Sequence, residues 1–402
     1  MGNYEAARII DEVCKLSSDT NGVITRFPFT DSWMRAQEFL RNYMLEHGFE
    51  VGFDCAGNLH GRIGSSEKTV LSGSHVDTVR NGGKYDGLYG VVAAVLAVSR
   101  LYKKHGTPKH ALEVVSFSEE EGSRFPFNFL GSKALIGSVN DSDILDLKDK
   151  DGVSMKDAMS KYGFEFKTGC AKRDDIKAFV EIHIEQGGVL ESKDMDIGIV
   201  TSIVGYKKFR VDVHGEANHA GTTPMPMRKD AGFASALIIS EVIKCAKEYG
   251  EPLVTTVGQI EFHPGLANVI PQLATFSLDM RHTDGNVLDR FQNEVSGIIS
   301  KICAENNVSY EFKPIFNDNP VPMDKDITAM IAKVCDLRGL RSMEIHSGAG
   351  HDSQILSKVT PVGMIFVPSK DGISHNPNEH TDADKLELGV EVLEDVLYKL
   401  AY

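Results

Sequence analysis

The sequence predicts an α/β fold in which one domain is interrupted by a second, smaller domain. In the first half of the 402-residue chain, short apolar segments alternate with segments of helical periodicity. This alternation is typical of a sheet covered by helices on both faces. After Gly205 the order becomes strand, helix, strand, strand, helix, strand, which is the ferredoxin-like arrangement. Beyond Pro322 the α/β pattern resumes, and a chain of this length is expected to form two domains.

Local signals define the elements of the first part. Residues Met1–Leu16 are charged and have helical periodicity. Thr30 can cap a helix that runs to about His47, where Gly48 terminates it. The other elements are bounded by turn residues. We expect strands at Glu50–Asp54, Leu59–Ile63, Thr69–Leu71, Leu112–Ser118 and Ala178–Ile184, and helices at Gly87–His105 and Ser154–Tyr162.

The interrupting segment and the last part are assigned in the same way. In the interrupting segment we expect strands at Phe209–His214, Leu253–Ile260, Leu273–Arg281 and Ser309–Lys313, with helices at Asp230–Tyr249 and Asp284–Asn307. The run Asn317–Pro322 is expected to link back to the first domain. In the last part we expect a helix near Asp326–Leu337, a strand at Val362–Val367 and a helix at Asp384–Leu400.

The composition argues against two classes of partner. The net charge of −14 disfavours nucleic-acid binding, which needs a basic face. No apolar run approaches the roughly 20 residues that cross a bilayer, so no membrane partner is expected. The six cysteines are scattered without a C-x-x-C pair, which favours free thiols in a reducing, cytoplasmic location.

The stretch from His75 to Asp86 carries the first chemical signal. It follows a buried apolar run that is predicted to stop at Ser72-Gly73, and it precedes an apolar helix. Open α/β sheets place their ligand sites at such junctions. An imidazole and a carboxylate there suit a divalent metal ion, and Asp77 could accept the second ring N–H of His75. The alternative interpretation is an ordinary polar surface loop.

Metal-type ligands recur after other predicted strands of the outer domain. The four places are His75 with Asp86, the triplet Glu119–Glu121, His183 and His375. Each is weak alone, because a histidine after a strand is often structural and a glutamate triplet is often a solvated turn. Since the carboxyl ends of these strands are expected to converge on one crevice, together they predict a centre for two divalent ions.

Other catalytic schemes lack their motifs. The sequence contains no G-x-S-x-G nucleophile elbow and no H-E-x-x-H helix. It also contains neither a P-loop nor a dinucleotide fingerprint at the start of a helix. From the residues alone, the prediction is therefore a hydrolase with two metal ions.

Several motifs resemble a known family over nearly the whole chain, from about Asp19 to the C-terminus. They are GSHVDTV with NGGKYDG, SEEEGSRFP, EIHIEQG, NHAGTTPM, NVIP, DMRHTD, SGAGHDSQ and GISHNP. The sequence resembles the M20 di-metal amidohydrolases, in the branch of N-carbamoyl-L-amino acid hydrolases and allantoate amidohydrolases. The resemblance implies a zinc-peptidase-like catalytic domain with a mixed central sheet, residues 1–206 and 317–402. It also implies that residues 207–316 form a dimerisation and lid domain.

The resemblance implies a role for each motif residue. Asp86 would bridge the two metal ions, Mn²⁺ or Zn²⁺. His75 and His183 would complete the ligands of one ion, and Glu121 and His375 those of the other. Glu120 would be the general base on the attacking water and then the acid toward the leaving nitrogen. The match to the Glu-Glu-Gly pattern, and no physical argument, assigns the roles within the glutamate triplet.

The resemblance also implies substrate contacts. His219 and Asn268 would hold the scissile carbonyl and the substrate, and Gln186 and Gly350 would line the site. Arg281 ends an apolar strand, where a bidentate grip on a substrate carboxylate is a natural use of its guanidinium. Structural alternatives are that Arg281 pairs with Asp279 or Asp284, and that His219 caps its turn.

The expected function is hydrolysis of a ureido C–N bond in a small carboxylate substrate. The resemblance favours allantoate, converted to ureidoglycine, ammonia and carbon dioxide in ureide breakdown. Hydrolysis of N-carbamoyl-L-amino acids or of another ureide is the nearest alternative. A peptidase of the superfamily and a catalytically silent binding protein are the remaining alternatives. A homodimer through the interrupting domain is also expected.

Overall fold

The computed structural model describes residues 4–20 and 22–402. These residues form two compact units, of which unit 1 comprises the chain up to Thr201 and Met323–Tyr402, and unit 2 is Ser202–Pro322. The predicted boundaries at 206/207 and 316/317 lie a few residues from these positions. The predicted helix at Met1–Leu16 corresponds to Glu5–Ser17 in the structure, and residues 1–3 lie outside the described residues.

The elements follow one another along the chain in three groups. The first group is α1 (Glu5–Ser17), α2 (Asp31–Glu46), β1 (Glu50–Phe53), β2 (Leu59–Ile63), β3 (Thr69–His75), α3 (Leu88–His105), β4 (Ala111–Phe117), α4 (Leu130–Leu135), α5 (Asp141–Ile144), α6 (Met155–Ser160), β5 (Ile176–Ile184), α7 (Val189–Ser192) and β6 (Ile197–Ile203). The second group is β7 (Gly205–His214), α8 (Ala231–Tyr249), β8 (Val254–Thr256), β9 (Ile260–His263), β10 (Leu273–His282), α9 (Gly285–Glu305), β11 (Ser309–Asp318) and β12 (Val321–Pro322). The third group is α10 (Lys325–Arg338), β13 (Ser342–Ser347), α11 (Asp352–Leu356), β14 (Val362–Val367) and α12 (Ala383–Ala401).

The main sheet of unit 1 is mixed and flanked by helices, as the fold class predicts. Its strands are ordered β1-β2-β4-β3-β5-β14-β6, and β13 also pairs with β6. Strand β3 runs parallel to β4 and β5, and β5 runs parallel to β14. Strands β3, β4 and β14 are buried along their whole length, which is expected for a sheet covered on both faces. The carboxyl ends of these four parallel strands therefore meet at one edge.

One predicted strand end was wrong. Ser72-Gly73 was expected to stop the strand, but β3 continues through both residues to His75. Gly73 has φ of +152°, and a Cβ on it would lie 1.9 Å from the backbone oxygen of Val115. The glycine thus permits a close approach of β3 to β4 and does not mark a turn. The continuation places His75 at the last position of the strand.

Unit 2 has the ferredoxin-like order with a divided second strand. Its sheet is ordered β11-β7-β10-β8, and β9 also pairs with β10. The predicted strand Leu253–Ile260 is broken between Thr256 and Ile260, which pair with Asp279 and Phe276 of β10. The β8–β9 side therefore carries one extra residue, which is a bulge. The predicted link 317–322 is also partly strand, since β11 reaches Asp318 and Val321 in β12 pairs with Ile203.

Each unit has its own hydrophobic core. In unit 1, α3 is buried on nearly every face because it packs between the sheet and other helices, including α12. In unit 2, α8 and α9 cover one face of the sheet, and the side chains of β10 alternate between that buried face and a more exposed one. Asp230 caps α8 by accepting a hydrogen bond from the backbone of Phe233, and Gly250 ends the helix with φ of +70°.

The expectation that all six cysteines are free thiols was wrong for one pair. Cys55 and Cys170 form a disulfide, with their Cα atoms 6.2 Å apart. They are 115 residues apart in sequence, so no local motif could reveal the pairing. The other four cysteines, Cys14, Cys245, Cys303 and Cys335, are free.

Among the described residues, no helix is both long enough and apolar enough to cross a membrane.

Candidate metal centre

The carboxyl edge of the main sheet gathers the predicted ligands around Asp86. Asp86 lies just before α3, and His75 and His183 lie at or next to the ends of β3 and β5. All three are nearly fully buried. Glu121 follows β4, and His375 follows β14 and is half exposed. The structure therefore brings all five predicted ligands together in unit 1.

The two carboxylate oxygens of Asp86 are divided between two sets of ligands. Oδ1 lies 3.3 Å from His183 Nε2 and 3.6 Å from His75 Nε2. Oδ2 lies 3.3 Å from His375 Nε2, which is 3.5 Å from Glu121 Oε1. Each set places histidine nitrogen and carboxylate oxygen within reach of one cation. Asp86 therefore has the geometry of a bridging ligand.

The three consecutive glutamates after β4 take different directions. Glu120 Oε2 lies 3.7 Å from His75 Nε2, and Glu121 Oε1 lies near His375, so both carboxylates enter the cluster. Glu119 Oε1 instead accepts the backbone N–H groups of Arg124 and Phe125, both at 3.4 Å. Glu119 therefore braces its own loop, while Glu120 and Glu121 face the site.

Backbone carbonyls orient the two buried histidines. His75 Nδ1 lies 3.0 Å from the backbone oxygen of Asp77, and His183 Nδ1 lies 2.9 Å from that of Ile184. Donation of each Nδ1–H to a carbonyl leaves the lone pair on Nε2, the nitrogen that faces Asp86. The sequence pointed to the carboxylate of Asp77 for this role, but its Oδ1 lies 3.9 Å from His75 Nδ1. That carboxylate instead accepts the backbone N–H of Glu121 at 3.1 Å.

Two supporting residues were missed by the sequence reasoning. Glu379 Oε1 accepts the backbone N–H groups of Tyr85 and Asp86, at 2.7 and 3.1 Å. Ser374 Oγ lies 3.0 Å from Asp86 Oδ2 and 2.8 Å from Glu379 Oε2. These contacts hold the loop before α3 in place. The only available signal was the position of both residues beside His375 in the motif GISHNPNEH.

Burial and charge set opposite pKa shifts within the cluster. Burial, together with the neighbouring carboxylate of Glu121, raises the pKa of Glu120 well above its usual value. Burial and the Asp86 carboxylate raise the pKa of Glu121 to about 8. For Asp86, burial acts upward, but hydrogen bonds with His183 and His375 hold its pKa well below the ordinary range. So many buried carboxylates at one place are costly without a compensating cation.

The environment of His183 fits a cation better than a proton. The backbone N–H of Gly87 donates to His183 Nε2 at 3.0 Å, so this nitrogen is unprotonated in this arrangement. Because Nε2 has a single lone pair, a bound metal ion would take the place of this hydrogen bond. Burial lowers the pKa of His183, but the Asp86 carboxylate outweighs it and raises the pKa to about 9. A metal ion beside Nε2 would satisfy the carboxylate while leaving the ring neutral. Glu121 Oε1, buried and without a hydrogen-bond donor among the described residues, fits the same interpretation.

Gln186 and Gly350 also belong to unit 1. Gln186 follows β5 with φ of +58°, and its Nε2 donates to Asp86 Oδ2 at 2.7 Å. Gly350 is exposed between β13 and α11, where a Cβ would lie 3.1 Å from the ring of Phe129. Gln186 thus contacts Asp86 within the cluster, while Gly350 lies on a separate loop of unit 1 beside Phe129.

The three predicted substrate residues of unit 2 fall into two groups. His219 and Asn268 lie on adjoining loops, since the backbone of Ala220 donates to the oxygen of Asn268 at 3.0 Å. His219 Nδ1 accepts the backbone N–H groups of Gly221 and Thr222, so its ring proton is on the exposed Nε2. Arg281 lies near the end of β10.

Arg281 pairs with Asp279, which was the structural alternative to a substrate contact. Its Nε donates to Asp279 Oδ1 at 3.1 Å, and its guanidinium lies 4.6 Å from the ring centroid of Tyr206. Pairing with Asp279 is therefore observed. This pairing orients the guanidinium.

Imidazoles and carboxylates that share one aspartate, with a further glutamate beside them, define the centre of a metal-dependent hydrolase. Residues 71–399 match the family model described as peptidase family M20/M25/M40, and the chain belongs to this family.

Similar proteins cover almost the whole chain. The chain is 43% identical to the allantoate amidohydrolase of Escherichia coli (strain K12), over 96% of this chain and 95% of that protein. It is 36% identical to an N-carbamoyl-L-amino-acid amidohydrolase of Paenarthrobacter aurescens, over 97% and 96% of the two chains. Among solved structures, an amidase of the hydantoinase/carbamoylase family from Burkholderia multivorans matches with a TM-score of 0.93 and 30% identity, over 99% and 97% of the two chains.

Proposed function

We propose that this protein hydrolyses a ureido C–N bond of allantoate, releasing ureidoglycine, ammonia and carbon dioxide in ureide breakdown. The observation that carries the proposal is the division of the Asp86 oxygens between two ligand sets. The identity of 43% to a protein named allantoate amidohydrolase supports the choice of substrate.

We assign two divalent ions, Mn²⁺ or Zn²⁺, to the cluster. His75, His183 and Asp86 Oδ1 would hold one ion, and His375, Glu121 and Asp86 Oδ2 the other. Mixed imidazole and carboxylate ligands accept both metals. When bound, such a pair polarises a carbonyl and lowers the pKa of a water molecule.

Glu120 would act as the general base and acid. Its carboxylate enters the cluster beside His75, and it is not among the ligands proposed for either ion. It would take a proton from the attacking water as the water oxygen bonds to the ureido carbon. It would then give that proton to the terminal nitrogen as the C–N bond breaks and ammonia leaves. The remaining carbamate loses carbon dioxide.

The substrate contacts belong to the same proposal. His219 would donate its Nε2–H to the carbonyl oxygen as negative charge develops there. Arg281, oriented by Asp279 and Tyr206, would bind the substrate carboxylate. Asn268, Gln186 and Gly350 would contact the rest of the substrate.

A substrate panel tests the proposal. The purified protein would be stripped with a chelator, reloaded separately with manganese, zinc or cobalt, and assayed for ammonia release from allantoate. We expect turnover with at least one metal and none in the stripped protein. Absence of ammonia release with every metal would refute the proposal.

Hydrolysis of N-carbamoyl-L-amino acids is the second candidate. It is favoured by the 36% identity over 97% of this chain to a protein named for that reaction. Both substrate classes carry a ureido group next to a carboxylate, so the same centre could serve either. A larger kcat/KM for N-carbamoyl-L-amino acids than for allantoate in the same panel would select this candidate.

We further propose a homodimer through unit 2. Strand β9 lies at the edge of its sheet, paired only with β10 among the described strands, and its side chains are all exposed. Phe262 on β9 and Phe233 on α8 are 42% and 55% exposed. An edge strand beside exposed aromatic side chains is a surface that natural proteins usually cover.

A cytoplasmic location is also part of the proposal. Four of the six cysteines are free, which favours a reducing compartment, whereas Cys55 and Cys170 are bonded to each other. Cell fractionation followed by detection of the native protein tests it, and recovery outside the cytoplasmic fraction would refute it.

A further inference from the structure

A largely buried turn contacts Ser118, the residue just before the glutamates of the proposed metal centre. It comprises Asp54–Asn58, between β1 and β2, and is called the support turn below. Asp54 Oδ1 accepts the backbone N–H groups of Ala56 and Asn58, at 2.9 and 3.0 Å. Asp54 Oδ2 accepts Asn58 Nδ2 at 2.8 Å. These bonds fix which way the Asn58 amide faces, because its nitrogen must point to Asp54.

The Asn58 side chain joins two segments that hold the glutamates. Its Oδ1 accepts the backbone N–H of Ser118 at 3.0 Å, and its Nδ2 donates to the backbone oxygen of Gly131 at 3.1 Å. Asn58 and Ser118 are both 0% exposed. Ser118 Oγ returns a hydrogen bond to the backbone oxygen of Ala56 at 2.7 Å. The support turn and the residue before Glu119 are therefore joined by two buried hydrogen bonds.

The segment around Gly131, which Asn58 contacts, is also hydrogen-bonded to the backbone of the glutamates. Gly131 N–H donates to the oxygen of Ser118, Leu130 N–H to that of Glu119 and Phe129 N–H to that of Glu120, at 2.9, 3.1 and 3.1 Å. These three backbone hydrogen bonds join segment 118–120 to segment 129–131. Asn58 binds both segments, since it contacts Ser118 in the first and Gly131 in the second. Displacement of either segment would move the Glu120 carboxylate, which lies 3.7 Å from His75.

The packing leaves little room for movement. A Cβ on Gly131 would lie 2.1 Å from Asn58 Oδ1 and 2.6 Å from the backbone nitrogen of Ser118. Cys55, within the support turn, is also tied covalently to Cys170. The support turn is therefore anchored independently of the glutamates that it contacts.

We propose that Asn58 is a positioning residue for Glu120: it holds the backbone of Ser118–Glu120 against the start of α4 so that the Glu120 carboxylate faces the metal centre. This inference rests on the proposed function for the role of Glu120. Asn58 itself contacts neither substrate nor metal ligand.

Replacement of Asn58 tests the inference. In Asn58→Ala, we expect kcat to fall about 100-fold while KM changes less than about three-fold, with metal content unchanged, because a small displacement of a catalytic group costs about that much. Hydrogen exchange of the backbone amides of Ser118 and of Phe129, Leu130 and Gly131 should become faster. A kcat per metal-loaded molecule equal to that of the unsubstituted protein, with unchanged exchange, would overturn the inference.

A second variant covers the case in which Asn58→Ala does not fold. Asn58→Asp keeps the acceptor for Ser118 but loses both donors of Nδ2, to Asp54 Oδ2 and to the Gly131 oxygen, and places a second carboxylate beside that of Asp54. Uptake of one proton by this pair of carboxyl groups removes the repulsion and restores one donor. Its kcat relative to the unsubstituted protein should therefore rise as pH is lowered from about 8 to about 6. A ratio independent of pH, or one that falls, would count against the inference.

The controls separate this inference from the proposed function. Leu393→Ala, a fully buried change in α12, lowers stability without touching the support turn and should keep kcat per folded molecule unchanged. Absence of ureide turnover by the unsubstituted protein would defeat the proposed function alone. The exchange of the four amides would then still decide whether Asn58 holds the glutamate backbone.

Discussion

At the scale of single residues, the cluster depends on which atom each side chain presents. His75 and His183 both direct Nδ1 to a backbone oxygen and Nε2 to Asp86. Glu119 and Glu120 are neighbours in sequence, yet one binds its own loop and the other faces the site. Residue type was therefore predictable, whereas the direction of each side chain follows from the local backbone.

The distinction between the two glutamates predicts their substitution effects. Glu120→Gln should lower kcat by at least about 10³-fold, because an amide cannot take the proton of the attacking water. Metal content, measured by elemental analysis, should not change. Glu119→Gln is the matched control: it keeps an acceptor for the Arg124 and Phe125 N–H groups, and kcat should stay within a few-fold. Equal loss in both variants would contradict the assignment.

His60 predicts a pH dependence of stability away from the metal centre. Burial lowers its pKa, but hydrogen bonds with Asp54 and Glu113 outweigh burial and raise the pKa to about 9. The pKa of His60 is therefore higher in the folded state than in the unfolded state, where it is about 6.5, so protonated His60 stabilises the fold. This stabilisation is fully present below about pH 6.5 and is lost as the pH rises through about 9.

The corresponding variant is His60→Asn, measured by chemical denaturation at two pH values. We expect a loss of about 2–3 kcal/mol in the free energy of unfolding near pH 6, and less than about 1 kcal/mol near pH 10. The unsubstituted protein at each pH is the reference. A loss of the same size at both pH values would show that His60 acts through packing alone.

At the scale of elements, the site exists because four parallel strands end at one edge. Strands β3, β4, β5 and β14 are neighbours in the sheet although β14 comes almost 180 residues after β5 in the chain. Local periodicity predicted each of these strands, and β14 matches its predicted range Val362–Val367. Their order in the sheet came from the general rule that such strand ends converge, since no local pattern encodes it.

The disulfide between Cys55 and Cys170 is expected to contribute to the stability of the protein. It closes a long loop, since Cys55 and Cys170 are 115 residues apart, and it ties the support turn to the segment before β5. The double variant Cys55→Ser/Cys170→Ser should lower the free energy of unfolding by about 2–4 kcal/mol. A reductant should lower the stability of the unsubstituted protein by a similar amount and have no effect on the double variant. No loss of stability in either experiment would show that the bond contributes nothing.

At the scale of the whole molecule, the chain forms two cores from three stretches of sequence. The core of unit 1 combines residues from both ends of the chain, whereas that of unit 2 is built from one continuous segment. This arrangement lets the proposed ligands His183 and His375, which precede and follow unit 2 in the chain, meet at Asp86.

The exposed apolar side chains of unit 2 predict the state of association. The double variant Phe233→Asp/Phe262→Asp should be monomeric in analytical ultracentrifugation, because it places charge in the proposed interface. Leu337→Asp is the matched control in unit 1, since Leu337 is 72% exposed on α10. A dimer that persists in the Phe233/Phe262 variant would place the interface elsewhere, and a monomeric unsubstituted protein would refute the dimer.

The sequence by itself determined the local elements and the kinds of ligand at their ends. The cap at Thr30, the helix predicted at Asp230–Tyr249 and the metal-type residues after the strands all depend on neighbours in the chain. These features could be predicted because short-range sterics and hydrogen bonding decide them.

Only the tertiary structure decided the contacts between distant segments. Glu379 binds the backbone of Tyr85 across 294 residues, Asn58 binds that of Ser118 across 60, and Cys55 is bonded to Cys170. Gly73 was predicted to end a strand, but the close approach of the Val115 backbone explains why a glycine occupies this position. Such partners are chosen by the packing of the whole sheet and its loops, and a single sequence carries no local pattern for a neighbour that exists only after folding.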